Sequence, residues 1–246
     1  MEYYGLIGYP LSHTFSPNYF NKKFSDQCIL AEYSAYSLEK IEEFVALTEK
    51  KPFKGINVTI PYKEKVIHFL DEIDNIANEI GAVNTIKFVD GKTIGYNTDV
   101  YGFELSLLDL ITSTENVQGA LILGSGGASK AVEYVLAKLK IPYIIVSRRG
   151  GEFTTYEQLD KKMMQTHNLI INTTPLGMHP KSDTKPEIPY TNLTKNYFLY
   201  DLVYNPEKTI FLSEGLSKGC RVKNGYDMLI LQAEKSWEIW NTPEIQ

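Results

Sequence analysis

Cysteine is scarce. The chain of 246 residues has two, Cys28 and Cys220, far apart and in no CxxC arrangement, which excludes a disulfide framework and suggests no zinc site. The four histidines, His13, His68, His167 and His179, show no ligand spacing either, so no metal is expected. Long basic runs are missing, and 25 Lys and Arg against 30 Asp and Glu leave a net charge of −5, a balance that disfavours a general affinity for nucleic acid. No apolar run approaches the ~20 residues of a membrane span. The opening MEYYGLIGYP lacks the basic-then-apolar pattern of a signal peptide. These absences describe a soluble protein of a reducing, cytoplasmic compartment, with no nucleic-acid or membrane partner.

What is present is ordinary globular chemistry. Hydrophobic residues make up 43% and charged residues 22%, and the length suits one large domain or two small ones, of which two are expected.

The stretch Gly55 to Lys63, GINVTIPYK, is the most informative. Strand alternation puts Ile56, Val58 and Ile60 on one face and the polar side chains of Asn57 and Thr59 on the other. Pro61 suits the first position of a helix, and YKEKVIHFL continues with helical spacing. Lys63 then falls in the first turn, where the positive end of the helix dipole disfavours an ammonium, so stability alone does not call for lysine there. Two readings stand: a functional lysine and a solvated one.

Upstream, a strand over Tyr3 to Ile7 ends at Gly8, and GYPLSHTFSP follows, dense in turn formers and hydroxyls. Ser16-Pro17 reads as an N-cap and first helical residue, with Thr14 and Ser16 at the mouth of a helix through Tyr19, Phe20 and Phe24. His13 reads as a structural hydrogen-bonder of that loop. A strand near Ile29 to Tyr36 and a helix from Leu38 to about Lys50 complete a βαβα order that predicts a small, largely parallel sheet. A helix near Ile73 to Ile80 leads to GAVNTIKFVDGKTIGYNTD, in which Asp90-Gly91 between alternating runs signals a hairpin. Asn84 stands at its beginning and Asn97 to Asp99 at its exit. Asp99 falls in the first turn of the next helix, where the dipole alone would explain an acid. Both Lys63 and Asp99 nevertheless sit at strand-to-helix exits, where α/β folds place their sites.

From Val117 the pattern changes. The strand ALIL runs directly into GSGGASKA and the helix VEYVLAKLK, the setting of a dinucleotide fingerprint. Gly124 permits a tight turn, Gly126 lets the backbone, with Ser125, approach a pyrophosphate, and Gly127 with Ala128 opens a helix whose free N–H groups can cradle it. Ala131 supplies the small residue for helix–strand packing. The next strand ends at Ser147-Arg148-Arg149, two arginines and no acid, which predicts NADP over NAD because guanidinium can pair with a 2′-phosphate. The exit of NLIINTT, from Asn172 and Thr173 to Gly177, should line the same crevice. His179 to Lys195 reads as a surface loop with freedom to move, YFLYDLVYNP as a buried strand, Lys208 to Ser217 as a helix and CRVKNG as a short strand or turn. In the last helix Leu229, Ala233, Trp237 and Trp240 form a core stripe, and Met228 with Gln232 forms a neighbouring line able to face a cleft.

GYPLSHTFSP, GINVTIPYK, GAVNT, NTD, GSGGASKA, DLVYNP and NGYDMLILQA, in this order, resemble the shikimate dehydrogenase family, which reduces 3-dehydroshikimate in chorismate and aromatic amino acid biosynthesis. The resemblance spans almost the whole chain. It implies an N-terminal α/β substrate domain with a mainly parallel sheet over 1–98, a doubly wound Rossmann-type NADP domain over 99–223, and a C-terminal helix over 224–246 that returns to the first domain. By motif it implies Lys63 and Asp99 as the catalytic pair, also touching substrate. Thr14 and Ser16 would hold the substrate carboxylate, with Tyr204 near it, and Asn57, Thr59, Asn84 and Gln232 the ring hydroxyls or their surroundings. Gly225 and Met228 match positions near the nicotinamide. Thr14 stands where the family usually has serine, and Arg148-Arg149 where it commonly has an Asn-Arg-Thr-like sequence. Two alternatives stay open: a quinate/shikimate dehydrogenase of broader specificity, and a non-catalytic binding or regulatory relative. A monomer or a homodimer fits either.

Overall fold

The computed structural model describes residues 1–11 and 15–243, and His13 and Thr14 lie outside them. The chain divides into two compact units, the first formed by residues 1–98 and 233–246 and the second by 99–232.

In the first unit the elements are β1 (Glu2–Gly8), α1 (Phe15–Asp26), β2 (Ala31–Ser37), α2 (Glu43–Lys50), β3 (Phe53–Val58), β4 (Glu72–Ile73), α3 (Asn75–Ile80), β5 (Thr85–Val89) and β6 (Lys92–Tyr96). They form one six-stranded sheet of order β2-β1-β3-β5-β6-β4. β1 pairs parallel with β2 and β3, β4 pairs parallel with β6, and the β5–β6 hairpin is antiparallel. Asp90 and Gly91 both take positive φ at the hairpin tip, the backbone that a two-residue turn of matching twist requires.

The region after β3 departs from the sequence expectation. No α-helix starts at Pro61; turns lead instead to a 3₁₀ helix over Lys65–Phe69, so Lys63 precedes the helix and has no place in a first α-helical turn. The cause is tertiary. Tyr62 is buried, its hydroxyl donating to Leu38 O at 2.6 Å, and the Lys63 carbonyl accepts the Val83 N–H at 2.8 Å. Contacts to two distant segments override a local helical spacing. At the other helix, Ser16 lies one residue inside α1, which begins at Phe15, so it is not the cap.

α8 (Tyr226–Asn241) is the last element, and its residues from Ala233 onward belong to the first unit. There Trp240 joins Tyr4, Leu6, Phe20, Phe24, Tyr33 and Ala233 in a buried cluster, with Trp237 packed against it. Of the expected stripe, Leu229 therefore belongs to the second unit. The Trp240 indole lies on Gly55 of β3, where an added Cβ would come within 2.2 Å of the ring, and its N–H donates to Ile86 O at 2.9 Å. Glu234 takes hydrogen bonds from Tyr19 and Lys23 of α1.

The second unit contains α4 (Asp99–Ile111), β7 (Ala120–Leu123), α5 (Gly127–Lys138), β8 (Tyr143–Val146), α6 (Lys161–Thr166), β9 (Leu169–Asn172), β10 (Phe198–Asp201), α7 (Ile210–Ser217), β11 (Arg221–Asn224) and the first turns of α8. Its five strands are all parallel, in the order β11-β10-β9-β7-β8. β7 and β9 are fully buried apolar runs save for Asn172, as strands covered on both faces must be. The segment expected to be a free surface loop is fixed in part: Ile188 and Leu193 are buried in the core, Tyr190 packs against it, and Thr184 accepts the Gly177 N–H at 2.9 Å. Three apolar side chains within a polar stretch carry that packing.

Gly55→Ala should test the Trp240 contact. The methyl must displace a buried indole, so urea unfolding is expected to show a loss of about 1–3 kcal/mol, while Gly91→Ala at the open hairpin tip strains only its own backbone. A neutral Gly55→Ala would show that Trp240 does not fix this face.

Candidate active site

Each sheet has a point where successive parallel strands turn to opposite sides, and such switch points are where open α/β sheets bind ligands. Among the parallel strands of the first unit it falls between β1 and β3. Their exits are laced together: Thr59 N–H donates to Ile7 O at 2.9 Å and Tyr9 N–H to Ile60 O at 3.1 Å. Gly8 is required there, because a Cβ would stand 2.5 Å from Thr59 Cγ2.

Below those exits lies a buried polar network. Asn57 Oδ1 accepts from the Tyr33 hydroxyl at 2.7 Å, and its amide N–H₂ faces Asn84 O at 3.2 Å, Thr85 Oγ1 at 3.1 Å and Ser236 Oγ at 3.0 Å. Asn84 donates to Thr98 Oγ1 at 2.9 Å and accepts the Thr98 N–H at 2.7 Å, which fixes the backbone one residue before Asp99. Ser236 also meets Thr85 at 2.8 Å and Thr98 at 3.2 Å. Burial pushes the Tyr33 hydroxyl pKa well above the phenolic range. Two expected site residues, Asn57 and Asn84, are thus joined in one network. Thr59 and Lys63 are half-buried beside it, on the chain that leaves β3. Tyr33, Thr85 and Ser236 were not expected, and their only signal was a polar group at a position whose neighbours are core.

In the second unit the reversal falls between β7 and β9. Thr173 Oγ1 donates to Leu123 O at 2.8 Å, joining the two exits. Gly124 has φ +113°, and a Cβ would lie 2.7 Å from Thr173 Oγ1, so the fold itself demands glycine. Gly126 is different. It caps α5 with φ −95°, which any residue adopts, and a Cβ there would meet nothing within 4 Å. Open space above a helix N-terminus, kept clear by a glycine the fold does not need, suits a phosphate approached by backbone N–H groups. Ser125 Oγ pairs with Ser147 Oγ at 2.9 Å, tying this loop to the β8 exit, where Arg148 and Arg149 are exposed. The residues present fit a dinucleotide with a further phosphate.

The remaining positions of this unit are held from within. Asn172 spends its side chain on the fold, donating to Asp201 Oδ1 at 2.9 Å and accepting from Thr174 Oγ1 at 2.6 Å. Tyr204 is half-buried, which raises its hydroxyl pKa. Gly225 passes so close to β10 that a Cβ would stand 2.2 Å from Leu202 O. Gly102 of α4 abuts the start of α8: a Cβ added to it would stand 2.6 Å from Met228 O and 3.0 Å from Gln232 N, so the two helices meet backbone to backbone. Gln232 Nε2 donates to Leu229 O at 2.8 Å, and Asp99 is the first residue of α4.

Residues 6–86 match the model of the shikimate dehydrogenase substrate-binding domain. A shikimate dehydrogenase (NADP(+)) of Methanococcus aeolicus is 39% identical over 96% of this chain and 90% of its own length. The chain belongs to the shikimate dehydrogenase family. A crystallised shikimate dehydrogenase in complex with NADP+ superposes with a TM-score of 0.86 at 34% identity, covering 99% of this chain and 91% of that one. The shikimate 5-dehydrogenase of Thermus thermophilus, solved with NADP(H) and shikimate, has a TM-score of 0.82 at 27% identity, covering 98% and 94%. As in other shikimate dehydrogenases of this group, a substrate domain accompanies a Rossmann-like NADP domain. No group of His, Cys, Asp and Glu able to hold a metal occurs among the described residues.

Asp201 was missed. It is fully buried at the end of β10 and accepts from Thr209 Oγ1 at 2.6 Å, Asn172 Nδ2 at 2.9 Å and Val203 N at 3.1 Å. Burial outweighs these bonds and lifts its pKa to about 6. The unfolded value is about 4, so between the two the folded state holds the extra proton and stability falls as pH rises through that window. Asp201→Asn keeps an oxygen for Val203 and Asn172 and offers an N–H to Thr209. It should flatten the fall in stability of this family member from about pH 4 to 7, on the order of 2 kcal/mol; urea midpoints across that range that still fall as in wild type would clear Asp201.

Gly126→Ala gives the second check. The fold should be unaffected while the KM for NADP rises about tenfold, whereas Gly124→Ala should destabilise the protein itself. An unchanged KM in Gly126→Ala would mean that no phosphate comes near this glycine.

Proposed function

We propose that this protein catalyses the reversible NADP-dependent interconversion of shikimate and 3-dehydroshikimate, with reduction the direction that serves chorismate and aromatic amino acid synthesis. The observation that carries the reading is Gly126, a position kept open for a ligand at the N-terminus of α5, in a chain similar to curated NADP(+) enzymes over nearly its whole length. Gly124, Ser125, Gly127 and Ala128 complete the phosphate cradle, and Asn172 and Thr173 shape its far wall. Arg148 and Arg149, with no acid beside them, select the 2′-phosphate. Gly225 and Met228 border the nicotinamide.

On the substrate side, Ser16 and Thr14 take the carboxylate with Tyr204 beside it, and Asn57, Thr59, Asn84 and Gln232 take the ring hydroxyls or shape their surroundings. Bound NADPH supplies a hydride to the ketone carbon. The oxygen left behind gains charge, and a positioned proton donor stabilises it as it forms. Lys63 and Asp99 are assigned as that acid/base pair. No helix among the described residues is long and apolar enough to cross a membrane.

The deciding assay follows the absorbance of reduced nicotinamide with shikimate or quinate and NADP or NAD. Rapid turnover with shikimate and NADP is expected; preference for quinate or NAD overturns the specificity, and no turnover by folded protein overturns the enzyme reading. Lys63→Ala should lower turnover by roughly 10²- to 10⁴-fold, and a variant within a few-fold of wild type would remove Lys63 from the chemistry.

A further inference from the structure

Asp201, at the end of β10, is fully buried, and a carboxylate kept from water needs a reason to be there. Its two oxygens lead to the two ends of one turn. Oδ1 accepts from Asn172 Nδ2 at 2.9 Å, where β9 ends, and from Val203 N at 3.1 Å. Oδ2 accepts from Thr209 Oγ1 at 2.6 Å, and Thr209 stands behind Gly177, where an added Cβ would come within 3.2 Å of Thr209 Cβ and Cγ2.

Between those ends the Asn172 amide spans the turn. Its Nδ2 also donates to Leu176 O at 3.3 Å, while its Oδ1 accepts the Thr174 N–H at 3.0 Å and the Thr174 hydroxyl at 2.6 Å. A backbone N–H can only donate and a carboxylate can only accept, so the amide has one workable orientation. Turned over, it would set its N–H₂ against the Thr174 N–H and its oxygen against Asp201. The turn held in this way is the one that faces the glycine loop. Thr173 Oγ1 donates to Leu123 O at 2.8 Å, and a Cβ added to Gly124 would stand 2.7 Å from Thr173 Oγ1 and 3.0 Å from Thr174 Cγ2.

We propose that Asp201 is a positioning residue for the nicotinamide dinucleotide: by fixing the Asn172 amide it sets the turn of residues 173–177 against the glycine loop, and with it the width of the crevice between β7 and β9. Asp201 touches no ligand and acts through Asn172. A neutral amide or hydroxyl in its place both donates and accepts, so it would leave the Asn172 amide two orientations. Burial strengthens the selection, because a mismatched polar pair in a low-dielectric interior is costly. The inference rests on Asn172 and Thr173 lining the cofactor crevice.

The test reads KM for NADP, KM for shikimate and maximal rate in a set of variants. Asp201→Ala should raise the NADP KM about 5- to 20-fold, in keeping with lost buried hydrogen bonds, with the shikimate KM unchanged. Asp201→Asn should fall between alanine and wild type, because its oxygen can serve Asn172 but nothing forces it to. A purely structural role would lower the fraction of active protein, hence the maximal rate, and leave both KM values alone. In the Asn172→Ala background Asp201→Ala should add less than about twofold, since the residue it acts through is gone. An unchanged NADP KM in Asp201→Ala, equal shifts in both KM values, an asparagine variant no better than alanine, or additive effects would each overturn the proposal. If Asp201→Ala does not fold, Thr174→Val cuts the same line of hydrogen bonds at a half-buried position: the NADP KM should rise about threefold or more, and an unchanged value overturns the proposal equally. An unaltered NADP KM in Asn172→Ala would sink the reading of the crevice and this inference with it, whereas a raised one beside an unaffected Asp201→Ala sinks the positioning role alone.

Discussion

The first unit depends on an indole lying flat on a glycine. Trp240 reaches β3 only because Gly55 has no side chain, and from that contact follow the burial of Ala233 and Ser236 and the aromatic cluster around Tyr4, Phe20 and Phe24. Gly55 lies on the same strand as Asn57, so the packing that seats the last helix acts on the strand that carries the polar network. Hydrophobic burial supplies the attraction, and the missing Cβ supplies the geometry.

Polar residues in that core are tolerated because they satisfy one another. Asn57, Asn84, Thr85, Thr98 and Ser236 exchange hydrogen bonds among themselves, and no described buried side-chain nitrogen or oxygen lacks a partner. Such a network is rigid because each member has few alternatives. It ties the exits of β3 and β6 to one another within the first unit.

Much of the fold was legible because its signals are local. Asp90-Gly91 announces a hairpin through the backbone it must adopt, and the glycines after ALIL announce a tight strand-to-helix turn. The helix expected at Pro61 failed because Tyr62 and Lys63 bind segments far away in sequence, which periodicity cannot register. Ser236 was invisible for a related reason: Asn57, Thr85 and Thr98, which it meets, lie 138 to 179 residues away. Asp201 looked like one more acid at a strand end, and nothing in its neighbours along the chain shows that water is kept from it. The roles of Gly124 and Gly126 separate only in three dimensions, where one glycine is forced by the fold and the other is left without a reason inside it.

The placement of tryptophan has a spectroscopic consequence. The chain has two tryptophans, Trp237 and Trp240, and both belong to the first unit. Indole emission therefore follows the melting of that unit alone and is silent about the nucleotide-binding half, whose aromatic residues are tyrosines and phenylalanines such as Phe103, Tyr190 and Tyr200. Far-ultraviolet dichroism sees both halves, so this sequence carries a built-in pair of probes for whether its two units melt as one.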